Sequence, residues 1–502
     1  MRTEIVLGPP GTGKTTELLR LVEEELGRGL APDRIGFVTF TRRGAEEAVG
    51  RACDKFQLDR KALPYFSTLH SLCFRQLGLK RGDVLEGKRL QDFSRHAGVQ
   101  ITGKWSEDGT LTGYGLGDRI LFMENLARVR GTDLRAAYDR DDDDLPWSEV
   151  DRVVRSMTQY KAATGLMDFT DMLSEFVRSG ITVPLEVLVV DEAQDLSYLQ
   201  WRVVLRLAEN ARRLIIAGDD DQAIYRWAGA DADHLIDMEG DVRVLGQSWR
   251  VPEAIQELSA SVISQVKHRR EKLWRPKQGV VGSVARTTQF GEVDCGSGEV
   301  LILTRNAYII REQVEPELRR QGIVYELHGH SSIKPSVLDV IKYWEALRKG
   351  EPVNVAAVRK VYEQMSSGTG YKRGFKLLPG RNEEESVTLD ELEASGGLLT
   401  RAIWHEALDR LPPDELAYII AARKRGEKLS VRPRVRLSTI HGSKGGEAEH
   451  VVLFKEMARR THDEMVRGGE EDEARVWYVG VTRAKERLTV VESSTRQECP
   501  WL

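Results

Sequence analysis

The segment Gly8-Pro9-Pro10-Gly11-Thr12-Gly13-Lys14-Thr15 constrains this chain more than any other stretch. The apolar run Ile5-Val6-Leu7 precedes it, and Thr16-Glu17-Leu18-Leu19-Arg20-Leu21-Val22 follows with helical periodicity. A strand that ends in a glycine loop and re-enters as a helix turns backbone N–H groups toward an anion. The helix N-terminus adds partial positive charge. In this context Lys14 reaches the β- and γ-phosphates of a nucleoside triphosphate, and the Thr15 hydroxyl holds Mg²⁺. Gly8, Pro9, Pro10, Gly11, Thr12, Gly13, Lys14, Thr15 and Thr16 are therefore the expected ATP-binding residues, and the remaining question is what the energy of hydrolysis is used for.

Length allows about three to four domains at ~150 residues each. The net charge of −4 gives no global basic signal, so any nucleic-acid binding must use local patches. Cys53, Cys73, Cys295 and Cys499 form no C-x-x-C pair, which argues against a disulfide framework or a zinc ribbon. His70 and Cys73 are metal-ligand types at close spacing, but they lack a second ligand pair. The N-terminus opens directly on a strand without a signal-peptide pattern, and no apolar run reaches the ~18–20 residues of a membrane span. A cytoplasmic protein without membrane association is expected.

Short apolar runs alternate with helical segments. Ile35–Phe40, Leu188–Val190, Leu214–Ala217, Val300–Leu303 and Val451–Phe454 read as strands of parallel sheets covered on both faces. The expected fold class is α/β, with two such units. Residues 80–163 and 336–430 break the rhythm with polar, mostly helical sequence and read as insertions. The four aspartates at 141–144 read as a solvated loop rather than a metal site.

Val189-Val190-Asp191-Glu192-Ala193-Gln194-Asp195 ends a strand in two carboxylates, at the edge where open parallel sheets bind ligands. One carboxylate can hold Mg²⁺ while its neighbour takes a proton from attacking water, the roles expected of Asp191 and Glu192. Residues 218–227, GDDDQAIYRW, again follow a strand. Their three acids are expected in a tight exposed turn, with Gln222 sensing the γ-phosphate or orienting water. Arg250 and Arg483, each in a short element expected in the second α/β unit, are candidate cationic fingers for a phosphoryl transition state.

Taken in order, these segments resemble the motif series of superfamily 1 DNA helicases of the UvrD/Rep/PcrA type. GPPGTGKT is similar to motif I, VTFTRRGAEEA (38–48) to motif Ia, STLHSLC (67–73) to the next DNA-binding motif, and VVDEAQD to motif II. GDDDQAIYRWAGA (218–230), QSWR (247–250), STIHGSKGGEAEH (438–450) and WYVGVTRAKERL (477–488) resemble motifs III, IV, V and VI. The resemblance implies RecA-like domains 1A (1–79 and 164–246) and 2A (247–335 and 431–502), with ATP in the cleft between them. Mostly helical insertions 1B (80–163) and 2B (336–430) would interrupt them. It further implies ribose contact by Glu447 and adenine stacking by Trp249. Base stacking falls to Phe40, Tyr225 and Trp227, and backbone contact to Thr39, Thr41, Arg42, Thr68, His70 and His441. The segment KHRREKLWRPK (267–277) resembles one that lies against single-stranded DNA through its aromatic, here Trp274; its plainer reading is a solvated basic helix end.

Four departures qualify this. No adenine-reading glutamine segment precedes Gly8, so selectivity would be relaxed or rest on Trp249. The order Arg226-Trp227-Ala228 displaces the arginine usual after the tryptophan of motif III. The 2B insertion is short. Trp501 is the only aromatic late in the chain, where relatives carry a strand-splitting hairpin, so translocation is better supported than strand separation. The expected activity is that of an ATP- and Mg²⁺-dependent 3′→5′ DNA helicase acting on single-stranded DNA and its junctions with duplex, in replication or repair. The alternatives are a single-strand translocase that displaces proteins, and the motor subunit of a helicase–nuclease complex.

Overall fold

The computed structural model describes residues 1–105, 111–113, 115–140 and 145–502. They form two compact units: Met1–Val281 with Glu464–Thr482, and Gly282–Asp463 with Arg483–Leu502. The aspartate run at 141–144 lies outside the described residues.

The first unit is built on a six-stranded, wholly parallel sheet. Its strands are β1 (Arg2–Leu7), β2 (Ile35–Thr39), β3 (Phe66–Thr68), β4 (Val187–Asp191), β5 (Arg213–Gly218) and β6 (Asp241–Val244), in the order β3-β2-β4-β5-β1-β6. The period-two geometry of a strand sends neighbouring side chains to opposite faces. Val187 and Val189 of β4 accordingly join one core, with Leu18, Val22 and Ala48, while Leu188 and Val190 join another, with Leu72, Leu199 and Val204. Burial on both faces is why this strand reads as an unbroken apolar run. Helices α1 (Lys14–Gly27), α2 (Arg42–Phe56) and α3 (Leu69–Gln76) each follow one strand directly. Parallel register sets Leu7 beside Gly218 and Thr39 beside Asp191, so the segments after β1, β4 and β5 emerge at one sheet edge.

The described residues between 80 and 163 are mostly helical and include α4 (Leu116–Arg130) and most of α5 (Trp147–Thr164) around a core of their own that contains Leu90, Phe93, Ile120, Leu121, Val150 and Val153. A charged cluster joins them to α6 (Phe169–Arg178). Arg128 Nη2 lies 2.7 Å and Lys161 Nζ 2.8 Å from Asp168 Oδ2, the buried N-cap carboxylate of α6. Burial disfavours the Asp168 charge, but Arg128 and then Lys161 outweigh it and hold the carboxyl well below the ordinary range.

The second unit has a seven-stranded sheet of β7 (Ser283–Thr287), β8 (Val300–Thr304), β9 (Tyr325–Leu327), β10 (His330–Ser331), β11 (Val435–Thr439), β12 (Ala448–Phe454) and β13 (Ala484–Val491). Their order is β10-β9-β11-β8-β12-β13-β7, parallel except for the β9–β10 edge pair. Residues 336–430 contribute the helices Pro335–Arg348, Val355–Glu363 and Pro413–Arg425, whose Trp344, Val358, Tyr362 and Ile419 extend the core of Val300, Ile302 and Val452.

The first unit runs past the expected limit at 246 and takes back a late segment. It holds α7 (Glu253–Ile263), which packs on α8 (Glu470–Val481). Hydrogen bonds explain the difference. Ser248 Oγ donates to the Pro10 carbonyl at 2.8 Å, and the fully buried Arg475 of α8 donates through Nε to the Asp220 carbonyl at 3.1 Å. Arg250 consequently sits in the first unit and Arg483 in the second.

Candidate nucleotide and nucleic-acid site

The phosphate loop needs its glycines for distinct reasons. Gly11 (φ +69°) and Gly13 (φ +80°) adopt left-handed backbone, which L side chains disfavour. A Cβ on Gly11 would also lie 2.3 Å from that of Arg250. The Gly11 carbonyl accepts from the Trp249 N–H at 2.8 Å, so residues 248–250 brace the loop from its outer side. Trp249 is 70% exposed beside that loop, a large aromatic side chain open for stacking. Lys14 Nζ folds back onto the Gly8 carbonyl at 2.9 Å, and Thr12 Oγ1 donates to the Pro9 carbonyl at 2.8 Å.

Thr15 Oγ1 donates to Asp191 Oδ2 at 3.0 Å. Burial first, and the adjacent Glu192 charge second, push the Asp191 carboxyl up to about 6 against the pull of Lys14 and the Thr15 hydroxyl. A hard cation at this pair of oxygens would relieve that penalty, and hydroxyl plus carboxylate is a donor set that suits Mg²⁺. Among the described residues no group of three or more His, Cys, Asp or Glu side chains forms a metal site independent of substrate oxygens.

Glu192 itself takes a left-handed backbone (φ +54°), unusual for a non-glycine residue and costing about 1–2 kcal/mol. Gln194 holds its carboxylate: Nε2 donates to Glu192 Oε2 at 2.6 Å, and Oε1 accepts from the Asp219 N–H at 3.0 Å. Asp219 Oδ2 accepts from Gln222 Nε2 at 2.6 Å. A continuous set of hydrogen bonds thus runs from Glu192 to Gln222. Gln194 was given no role by sequence reasoning, although it lies within the quoted motif.

The three acids after Gly218 are not in an exposed turn. Asp219, Asp220 and Asp221 are at most 1% exposed. Their partners come from the segment 267–277, which supplies compensating cations rather than a solvated helix end: Arg269 Nε donates to Asp221 Oδ1 at 2.7 Å, the Arg270 N–H to Asp220 Oδ2 at 2.9 Å, and Lys272 is buried among all three carboxylates. A run of like charges predicts exposure only while its partners are unknown, and these lie about 50 residues on. Trp274, in the same segment, is half-buried.

Phe40, Arg42, Thr68, His70, Tyr225 and Trp227, candidate DNA residues of the first unit, line three depressions that share residues; Thr41 and Trp274 line none of these three. One cleft of about 500 Å³ is lined by Arg42, Thr68, His70, Arg75 and Phe169 among others. His70 also borders a narrow pocket with Phe40 and Tyr225, whose rings stack at 5.7 Å. Ala230 links that pocket to a second cleft, of about 460 Å³, with Trp227, Arg226, Tyr198 and Arg130 on its walls. Trp227 is 53% exposed and stacks on Phe122 at 6.2 Å. Phe122, and Phe169 at 6.0 Å from the His70 ring, carried no signal in the sequence beyond being aromatic. Thr41 and Thr68 are helix caps, accepting from the N–H groups of Gly44 (3.1 Å) and Ser71 (3.2 Å). Arg226, displaced relative to the usual motif, pairs with Asp233 and Asp472.

The remaining candidates belong to the second unit. Arg483 is buried, its Nη1 3.4 Å from the Gly446 carbonyl; Glu447 pairs with Lys485 at 2.6 Å; and His441 opens a 3-10 turn after β11. The four cysteines are unbridged thiols. Among the described residues no helix is long and apolar enough to cross a membrane.

Residues 2–243 match the UvrD/REP helicase N-terminal domain, and residues 404–495 the UvrD-like helicase C-terminal domain. The ATP-dependent DNA helicase PcrA of Bacillus subtilis is 25% identical over 398 residues, 72% of this chain and 49% of that protein. PcrA of Staphylococcus epidermidis is 24% identical over 300 residues, 55% of this chain and 40% of that protein. The chain thus spans about half the length, or less, of these curated relatives. A solved complex of Arterivirus nonstructural protein 10 (helicase) with DNA covers 99% of this chain and 62% of its own at 10% identity, with a TM-score of 0.34, too low to bear on the fold. The N- and C-terminal domains of one family are matched in the order in which this chain presents them, and the chain belongs to the UvrD/REP helicase family.

Proposed function

We propose that the chain is an ATP-dependent DNA helicase that translocates 3′→5′ on single-stranded DNA and acts at its junctions with duplex, in the cytoplasm. The observation that carries this reading is one loop: Gln222, hydrogen-bonded toward Glu192, is followed within a few residues by Tyr225 and Trp227 on the aromatic clefts. A phosphate sensor and base-stacking groups on one short segment give hydrolysis a mechanical route to the strand.

In this reading Lys14 leaves the Gly8 carbonyl for the β- and γ-phosphates. Thr15 and Asp191 would hold Mg²⁺, which when bound supplies charge neutralisation at the phosphates. Glu192, oriented by Gln194, accepts a proton from the attacking water, and Gln222 contacts the γ-phosphate. Arg250 and Arg483 supply cations to the transition state. Trp249 stacks on adenine and Glu447 contacts the ribose. Phe40, Tyr225 and Trp227 stack on bases. Arg42, Thr68, His70 and, from the second unit, His441 contact the backbone, with Thr41 and Trp274 as further contacts.

The test is ATP-driven strand displacement on matched duplexes with a 3′ or a 5′ single-stranded tail, with Glu192→Gln as control. Displacement from the 3′ tail alone supports the proposal. DNA-stimulated ATPase without displacement from either tail would replace it with a translocase that strips proteins, or with a motor subunit of a helicase–nuclease complex.

A further inference from the structure

Lys272 has no assigned part in the site above, yet it is among the most constrained cations in the molecule. Its side chain is fully buried, with Nζ 2.5 Å from Asp220 Oδ1, 3.1 Å from Asp221 Oδ2 and 3.4 Å from Asp219 Oδ1. Asp219 is the residue through which this matters. One of its oxygens faces the ammonium, and the other accepts from Gln222 Nε2 at 2.6 Å. Its N–H is held by Gln194, which also holds Glu192. The Asp219 carboxylate is therefore held at both oxygens, Oδ1 by Lys272 and by the Asp221 N–H at 3.3 Å and Oδ2 by Gln222, while Gln194 holds its backbone; the Gln222 amide is oriented by it.

We propose that Lys272 is a positioning residue for hydrolysis, acting through Asp219 to set the rotamer of Gln222. The inference rests on the reading of Gln222 as the γ-phosphate contact. Lys272 neutralises Asp220, its nearest carboxylate, while Arg269 meets Asp221 with a bidentate fork. Beyond that neutralisation, the ammonium also faces Asp219, whose other oxygen holds Gln222. What the ammonium adds on Asp219 is a positive charge at Oδ1, the oxygen opposite the one that accepts from Gln222. The segment that carries it, 267–277, leads along the chain to Val281 and Gly282, where the first unit ends and the second begins. A displacement of residues 267–277 within the first unit would reach the amide of Gln222 through one ion pair and one hydrogen bond.

The experiment uses the full chain and steady-state ATPase with single-stranded DNA, reading kcat and KM for ATP separately. Lys272→Met alone strands buried carboxylates, so it is combined with Asp220→Asn, which removes one acid with the cation. Asp219→Asn is the second variant, because it keeps the shape but presents an amide to either Lys272 or Gln222. Thermal unfolding verifies that both are folded. The expected result is a kcat loss of about tenfold or more with KM within about twofold, the pattern of an interaction made in the transition state. Adding Gln222→Ala to either variant should give little further loss, since both act on one group. A folded Lys272→Met/Asp220→Asn protein with kcat within about twofold of wild type overturns the proposal, as do losses that multiply with Gln222→Ala. If Lys272→Met/Asp220→Asn fails to fold, Asp219→Asn decides on the same criteria. Wild-type protein without ATPase, or Gln222→Ala at the wild-type rate, fails the reading of the site itself and takes this inference with it.

Discussion

Thr15 Oγ1 and Asp191 Oδ2 meet at 3.0 Å, joining the end of the phosphate loop to the end of β4. Because burial and Glu192 raise the Asp191 carboxyl to about 6, the folded state binds a proton that the unfolded state releases near 4. Stability contributed by the protonated form is present below about pH 4 and lost as pH rises through about 6. Asp191→Asn should therefore be more stable than wild type in magnesium-free buffer at pH 8, by about 1–3 kcal/mol. The gap should close toward pH 5 in thermal unfolding scans. The same variant should lose ATPase by about 100-fold or more. Equal melting temperatures at pH 8 would contradict the electrostatic account.

Glu192→Gln keeps the Gln194 contact sterically possible but cannot accept a proton. ATP hydrolysis should fall by about 10²–10⁴-fold, while binding of a fluorescent ATP analogue stays near wild type. A variant that hydrolyses at the normal rate would remove Glu192 from the base role.

Trp227→Ala removes an exposed ring from one cleft. Affinity for oligo(dT) should drop by about 1–3 kcal/mol, roughly five- to 150-fold, with KM for ATP unchanged. Translocation should suffer more than DNA-stimulated ATPase; an unchanged translocation rate would refute the coupling through this loop.

Arg128→Met tests the helical insertion. It leaves the buried Asp168 with Lys161 alone, and breaking such a network costs about 3–5 kcal/mol. The Asp168 carboxyl lies below its unfolded value, so its contribution is present above about pH 4 and lost as pH falls toward its folded value. Asp168→Asn should thus flatten the acid limb of the unfolding curve, which circular dichroism against pH would measure.

The strand–loop–helix around the candidate phosphate loop was legible because its pattern is local: glycines, Lys14 and Thr15 sit within eight residues of one another, between a strand and a helix that their own periodicity announces. The placement of Asp191 and Glu192 at the end of a strand was legible for the same reason. Asp219–Asp221 were not, because their burial depends on Arg269 and Lys272, and nothing in the acids themselves announces a distant cation. The extent of the first unit was missed on similar grounds. Arg475 reads as one more helix charge until its guanidinium is seen on the Asp220 and His268 carbonyls. Gln194 shows a third kind of gap: its type and position were visible, but bridging two loops is a property of the fold.

The return of α8 to the first unit bears on biosynthesis. All six strands of the first sheet are translated before Val281, yet the unit is finished only by residues 464–482. The whole of 282–463 is synthesised in between, a delay on the order of 10–40 s at roughly 5–20 residues per second. Throughout it, α7 waits on the ribosome without the helix that covers it, and the carbonyl of Asp220 without its arginine. The first unit therefore stays open while most of the second is made, and closes only just before the second receives its own last strand, β13.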